Sequence, residues 1–477
     1  MNPIASDIKW MLGACLDKEA DLRARARDCW LPSLWWTKDE ENMHLPAAAA
    51  QPKDDLQLST LLAWAQENGV RLVPRGGGSG TLGAALPEAG SVVVDTCRLK
   101  SFALGEDDKG PFVKAGAGWI GRELEAKLNE AGLSLCHFPD SMALSTVGGW
   151  ISTRAFGQLS MRYGGIESQV LSVQAVYPGG RVMLEDPSLH LGAEGTVAIL
   201  SEAALRCRKT PAGWDAAGLR LPSLSAALEV ARRTFDLLAP PSALMLQGPM
   251  DAYAAGLRLG YPGEAGFLKE LAGAMILRAP GLLKAFKRLA AKEWVLLIVY
   301  ENAPEGTVSA LLPRLGIPSE RASRELAARW AQGCFQAEKK TIPMAADIFC
   351  FADVFDVWAP WDSLAPLERA LSEAVSPFAF TTSFFKHFDE KGACLLMTFA
   401  GAHKTKAASM SLYESAWRAG HEACIRFGAR ASHHRGIGLA RLPWIKACVD
   451  PRWHEALRQR KAECDPHNIM NPRKMGL

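Results

Sequence analysis

Helical and strand spacings of apolar residues take turns along most of this chain. Leu58, Leu61, Leu62 and Ala65 share one helical face within Leu56–Asn68, and Asn68-Gly69 supplies a helix stop. Trp119–Glu130 repeats that pattern with Ile120, Leu124 and Leu128. Between these helices, Val70–Asp95 reads as a strand, a glycine-rich loop and a second strand, and Phe112–Ala115 as a further short strand. Val170–Tyr177 and Arg181–Leu184 read as strands joined by the turn Pro178-Gly179-Gly180, and Thr196–Cys207 predicts a final strand pair. Upstream, Asp7–Arg27 predicts a single polar helix.

The pattern breaks into Pro, Gly and Ala around Pro211–Ser223 and then resumes. Strands are predicted at Ala243–Gln247, Trp294–Tyr300, Ile348–Val354 and Cys394–Phe399. A helix near Leu412–Phe427 leads into the loop Gly428–Gly438 and the tail Asp465-Pro466-His467-Asn468-Ile469-Met470-Asn471-Pro472. The predicted organisation is α+β, with an N-terminal helical segment (1–45), a first domain (46–210), a second domain (211–420) and a C-terminal segment (421–477).

Composition narrows the class. A net charge of +3 and no basic tract interleaved with aromatics argue against a nucleic-acid partner. Fifteen Trp suggest large buried surfaces or flat apolar pockets. The eleven Cys include no C-x-x-C, so no metal site is predicted and reduced thiols in a cytoplasmic protein are expected. The charged N-terminus does not read as a signal peptide, and the longest clean apolar run, Trp294–Tyr300, is too short to span a bilayer. Leu282–Trp294 reads as a basic amphipathic helix. Its simpler role is a surface helix packed on the second domain, its alternative a peripheral contact with an anionic membrane.

The strongest chemical signal is Pro74-Arg75-Gly76-Gly77-Gly78-Ser79-Gly80. Such a loop turns several backbone N–H groups toward one anion with no Cβ in the way, and a phosphate or pyrophosphate is its natural guest. Gly78 to Gly83 also spells the G-x-G-x-x-G of a Rossmann site, but that motif must open a crossover helix. Pro87 and the β-branched run Ser91–Asp95 leave no room for one, so the loop is expected to join two strands. Phe138–Gly157, rich in Ser, Thr and Gly, suits a flat ligand with a polar rim and equally suits an ordinary tight loop. Gly192-Ala193-Glu194-Gly195-Thr196 is weaker alone. Ser432-His433-His434-Arg435-Gly436 offers two proton acceptors and a fixed cation, though read alone it is also an ordinary solvated loop.

Taken in order, PRGGGSG, PDSMALSTVGGWISTRA and GAEGTVAIL resemble the cofactor-contacting segments of the vanillyl-alcohol-oxidase (PCMH-type) flavoproteins, nearest to the alkyldihydroxyacetonephosphate-synthase-like FAD-linked oxidases. Further likeness lies at Ala359-Pro360-Trp361-Asp362, Gly392-Ala393-Cys394, SHHRGIG and DPHNIMNP. The resemblance implies a two-part PCMH-type FAD-binding domain, an α+β substrate (cap) domain and a C-terminal segment returning to the flavin. It implies non-covalent FAD, with Pro74 to Gly80 around the pyrophosphate. Asp140, Ser141, Ser145, Thr146, Gly148, Gly149, Thr153, Arg154 and Ala155 would line the flavin and ribityl chain. Glu194, Gly195, Thr196, Ile199 and Leu200 would hold the cofactor's far end by backbone contacts. His433, His434 and Arg435 become catalytic candidates, with His387 a further one that is as readily a satisfied core histidine. His137 is not expected to carry a covalent link.

The implied activity is an FAD-dependent oxidation of a small alcohol or 2-hydroxy acid, a histidine taking the hydroxyl proton as hydride leaves for the flavin. A synthase-like transfer through the flavin without net redox change is the alternative. Two departures weigh against the alternative. Leu396 stands at the synthases' active-site tyrosine, and Ile342, with Lys339 and Lys340 nearby, falls near their phosphate-holding arginine. A small-molecule substrate and a homodimer are expected.

Overall fold

The structure, a computed structural model, describes residues 2–250, 292–327 and 349–477. They form two compact units. The first comprises residues up to 157, 164–210 and 434–477; the second comprises 158–163 and 211–433.

The first unit opens with helices α1 (Pro3–Leu12) and α2 (Glu19–Ala26). The single helix expected over 7–27 is therefore two, because Gly13 adopts φ 75° and ends α1. A three-stranded parallel sheet follows, ordered β1 (Ala48–Ala50), β3 (Val92–Asp95), β2 (Leu72–Arg75). Helix α3 (Asp55–Glu67) is capped by the Asp54 carboxylate on the Gln57 amide. Its buried Leu58, Leu61, Leu62 and Ala65 meet Leu72, Val92 and Val94 in one apolar cluster with Ile8 of α1. As expected, the glycine loop joins β2 and β3 with no helix between them, and the two strands run parallel.

A five-stranded antiparallel sheet comes next. Its order is β4 (Phe102–Asp107), β5 (Gly110–Gly116), β9 (Ile199–Arg206), β7 (Val170–Val176), β8 (Val182–Glu185). A two-strand ribbon pairs β6 (Leu133–Ser134) with β10 (Arg208–Lys209). The pair expected over 196–207 is one strand, β9, because Val197 and Ala198 precede it as buried loop. Helices α4 (Gly121–Glu130) and α5 (Val147–Thr153) complete this part. Helix α5 corrects a loop reading: Thr146 caps it through the Gly149 amide, and Val147, Trp150 and Ile151 are buried.

The second unit is built on a six-stranded antiparallel sheet. It is ordered β11 (Trp214–Leu221), β13 (Trp294–Glu301), β12 (Ala243–Gln247), β15 (Phe380–Lys386), β16 (Gly392–Ala402), β14 (Cys350–Pro360). Helices α6 (Leu224–Arg233), α7 (Trp361–Val375) and α8 (Lys406–Arg426) belong to it. Leu364, Leu367, Leu371 and Val375 form the buried stripe of α7, at the spacing of one helix face. Phe355 of β14 and Phe399 of β16 pack their rings on Trp417 of α8 at 4.7 and 5.6 Å between centroids.

After residue 433 the chain belongs again to the first unit. Helix α9 (Pro451–Cys464) leads to a tail that pairs with the edge of β2: the Leu72 amide donates to the Ile469 carbonyl, and the Asn471 amide donates to the Leu72 carbonyl. Lys461 and Asp465 fix that tail from inside, Lys461 through the Met470 carbonyl and Asp465 through the Ile469 and Met470 amides. The basic helix expected over 282–294 lies outside the described residues apart from its last three positions, as do Lys339, Lys340 and Ile342. Among the described residues, no helix is long and apolar enough to cross a membrane.

Candidate cofactor and active site

The separated sequence blocks of the first unit converge. A Cβ on Gly77 would collide with the Leu144 carbonyl, and one on Gly76 with the Thr146 hydroxyl, so the glycine loop lies directly on the second block. Pro74 is pressed just as closely against Gly195 of the third block. Gly78 adopts φ 69°, and the space a Cβ there would need is taken by the Arg75 guanidinium. Arg75 itself donates to the Arg27 carbonyl at 2.8 Å. Its side chain thus braces the loop from behind.

The N-terminal arm completes the cradle. The Cys29 amide donates to the Gly80 carbonyl at 2.8 Å, and the Cys29 thiol lies 3.5 Å from the Gly78 carbonyl. Asp28 is buried with Oδ1 accepting from the Trp30 amide, while Oδ2 has no hydrogen-bond partner and lies toward Gly80. Burial pushes the Asp28 carboxyl up to about 6, against the pull of the Trp30 amide and the Arg75 charge. A glycine cradle and an unpartnered buried acid beside it fit a dinucleotide phosphate with hydroxyls close by. Asp28 was not anticipated from sequence, because one acid in a charged helical stretch carries no motif.

The second block spends its polar groups partly on itself. Ser145 accepts from the Trp150 indole at 2.7 Å and donates to the Ser141 carbonyl, and Thr153 donates to the Gly149 carbonyl. The Gly148 amide donates to the Ala117 carbonyl, and Ala155 is buried at the exit of α5. Arg154, at φ 55°, donates to the Leu191 carbonyl and stacks over Trp453. Asp140 is exposed, in a turn ahead of α5. His137 is fully buried with neither ring nitrogen hydrogen-bonded, its ring edge-on to Trp150, and burial depresses it to about 3.

In the third block, Thr196 donates to the Ala193 carbonyl, and Ile199 and Leu200 begin β9. The Glu194 side chain is engaged within the fold. Its carboxylate accepts from the Ile437 amide at 2.6 Å and from the Gly438 amide at 3.0 and 3.1 Å, while its carbonyl accepts from Asn471. Burial raises Glu194 to about 7, opposed by those amides and by Lys474 and Arg441. The side chain therefore ties down the loop that carries His434 and Arg435, two residues earlier.

The four catalytic candidates divide between the units. His434 and Arg435 belong to the first, where His434 lies beside Phe156 at 5.8 Å. His433 and His387 belong to the second and stack at 5.8 Å with planes 12° apart. His387 adopts φ 53° just after β15. The Asp356 carboxylate, fully buried on β14, accepts from the His433 amide at 2.9 Å. Burial pushes the His433 ring down to about 4, with Asp356 opposing, so at neutral pH it is an uncharged imidazole. Asp356 was missed. Its only sequence sign was a lone acid in the apolar run Val354–Trp358. Leu396 lies opposite Asp356 on the neighbouring strand and carries no proton.

Cradle and fold together define an FAD-binding flavoprotein of the PCMH type. The model of an FAD binding domain matches residues 46–184, and that of the FAD linked oxidases, C-terminal domain, matches residues 216–475. The chain belongs to this family of FAD-linked oxidases, and its cofactor is FAD. It is 26% identical to the alkyldihydroxyacetonephosphate synthase of Dictyostelium discoideum over 90% of this chain and 73% of that protein. It is 22% identical to the glycolate oxidase subunit GlcD of Bacillus subtilis over 90% and 89%. A solved alkyldihydroxyacetonephosphate synthase superposes with a TM-score of 0.74 at 20% identity, covering 99% of this chain and 86% of that one. Substrate-bound p-cresol methylhydroxylase superposes equally well at 12% identity, covering 100% and 96%.

Proposed function

We propose that this protein oxidises a CH–OH group of a small 2-hydroxy acid. The observation that carries the reading is His433: a neutral imidazole seated by Asp356 and stacked on His387 in the second unit. Such a ring accepts a hydroxyl proton at a nitrogen near neutral pH. Relatives named glycolate oxidase subunit and D-lactate dehydrogenase support a hydroxy-acid substrate.

FAD would be held by the amides of Gly76 to Gly80 at its pyrophosphate. Asp140, Ser141, Thr146, Gly149 and Thr153 would serve the flavin and ribityl part, and Gly195 to Leu200 the far end. When bound, FAD supplies the two-electron acceptance that oxidation of a carbon–hydrogen bond requires. The chain's own work is to bind and orient the hydroxy acid, to take its proton on His433 or His434, and to hold its charge with Arg435.

The decisive test is anaerobic mixing of the FAD-loaded protein with a panel of 2-hydroxy acids, glycolate and D-lactate among them. Bleaching of the flavin band by at least one is expected. The second reading, synthase-like transfer without net redox change, draws on the synthase relatives. It meets an apolar Leu396 at the position where the resemblance implies a tyrosine. Incubation with a long-chain alcohol and acylated dihydroxyacetone phosphate is expected to give no ether lipid. Robust ether formation with no bleaching would reverse the ranking.

A further inference from the structure

A buried carboxyl stands against the loop that is to carry the cofactor's negative charge. Asp28 is 5% exposed, and its Oδ2 lies 3.6 Å from where a Cβ on Gly80 would stand. The arm that presents it is tied to the same loop. The Cys29 amide donates to the Gly80 carbonyl, and Arg75 donates to the Arg27 carbonyl, each at 2.8 Å. Asp28 is thus fixed beside Gly80 by a bond on either side of it.

The groups that act on Asp28 come from every element around it. The Trp30 amide of its own arm donates to Oδ1 at 2.9 Å. Arg75, at the end of β2, and the Ala85 amide beyond the glycine loop favour the ionised carboxyl. Lys474 does so from the C-terminal tail; it is buried, donates to the Leu86 carbonyl at 3.1 Å, and is shared with Glu194 and Glu88. Against all of these, burial prevails and pushes Asp28 up to about 6. A pyrophosphate brings further like charge to that loop, in a desolvated corner where repulsion is screened least. A proton on Asp28 relieves the repulsion.

We propose that Asp28 couples FAD binding to the uptake of one proton, taken by its carboxyl as the pyrophosphate settles on Gly76 to Gly80. The proton comes from solvent, and no bond of the cofactor is made or broken. This rests on the placing of the pyrophosphate at that loop. Asp28 is then a positioning residue of the cofactor site. The arm that carries it lies outside the matched FAD binding domain at 46–184, yet it sets how tightly FAD is held at a given pH. Since the loaded form holds the extra proton, affinity falls as pH rises above about 6.

The test titrates FAD into the full chain stripped of cofactor, by calorimetry between pH 6 and 8 in buffers of different ionisation enthalpy. For the wild type, the heat should track the buffer as proton uptake demands. Its affinity should fall about three- to tenfold from pH 6 to pH 8. Asp28→Asn keeps an oxygen for the Trp30 amide but does not titrate. It should take up no proton and bind FAD about three- to tenfold more tightly than the wild type at pH 8. Thermal unfolding checks that it folds, and Asp28→Ser carries the same comparison should it not. Glu194→Gln removes the other raised carboxyl beside Lys474 and should keep the uptake of the wild type. Uptake undiminished in Asp28→Asn, or lost in Glu194→Gln alone, overturns the proposal. So does a wild type that takes up no proton; if Gly78→Asp also loses FAD, the loop placement stands and only the coupling falls. Gly78→Asp that binds FAD as the wild type does removes the placement and the proposal with it.

Discussion

The two units put their chemistry in different parts of the chain. In the first, backbone does the work: the glycine loop, the turn before α5 and the Gly192–Thr196 segment press together so closely that side chains are excluded. In the second, the proposed site leans on a side chain set in a regular strand, Asp356 beneath His433. Backbone sites tolerate almost no change of residue type at their closest points and therefore read as motifs. Side-chain sites on a sheet need only one residue of the right kind in the right row, and they leave no local pattern.

The sharpest break of the comparison is Gly78→Asp. Its φ of 69° and the guanidinium of Arg75 leave no place for a side chain, so FAD loading should be lost altogether. Flavin absorbance after reconstitution reads this directly, and a fully yellow variant would show that the cradle is misassigned.

Next in size is His433→Ala, which should keep FAD but slow anaerobic flavin reduction by about 100- to 10,000-fold. His434→Ala should act in the same direction. An unchanged rate in both variants would move the proton acceptor to His387. His433 also gives a pH signature. Its folded pKa, lowered to about 4, lies below that of an ordinary histidine near 6.5, so its contribution to stability is present above about 6.5 and fades as pH falls toward 4. His433→Ala should lessen the loss of melting temperature on acidification through that window.

Glu194 probes the first unit with a side chain instead of a glycine. Glu194→Ala leaves the Ile437 and Gly438 amides without their partner and should cost about 1–3 kcal/mol, seen as a lower melting temperature. Glu194→Gln separates charge from shape. Because the folded pKa of Glu194 is raised to about 7, its favourable term is present below the usual carboxyl range near 4.5 and is lost as pH rises through 7. The Gln variant should therefore show less loss of stability between pH 5 and 8 than the wild type. Identical slopes would mean that this carboxyl does not titrate there.

The smallest effect is expected at Gly83. It stands outside the tight loop, but its φ of 79° and the nearby Trp30 and Leu86 side chains oppose an alanine there. Gly83→Ala should cost about 1–2 kcal/mol of stability while FAD still binds. A variant as stable as the wild type would mean that the turn relaxes.

Much of the fold could be read from the chain because its helices carry plain apolar stripes, as α3 and α8 do. Strands at 243–247 and 294–301 were legible for the same reason: short apolar runs bounded by turn residues. The break after Gly13 and the helix Val147–Thr153 were not, since one depends on a left-handed glycine and the other on capping by Thr146 within a Gly-rich run. The three blocks of the cradle stood out as motifs, whereas Asp28 and Asp356 stand out only in the folded chain, through burial beside Gly80 and beneath His433. Nothing within a few residues of them announces a neighbour that only the tertiary fold brings up.

The tail pairing on β2 has a consequence for biogenesis. Asn471 reaches the Ala84 carbonyl across 387 residues of chain, and the pairing of Ile469 with Leu72 spans a similar interval. During translation at about 5–20 residues per second, the outer edge of β2 therefore waits roughly 20–80 seconds for its partner. Through that interval the nascent polypeptide displays an unsatisfied strand border beside a half-built nucleotide pocket, a species prone to pairing with the wrong chain. Cofactor capture should thus be a late event that follows synthesis of the tail, and the supply of FAD at that moment would govern how much polypeptide escapes aggregation.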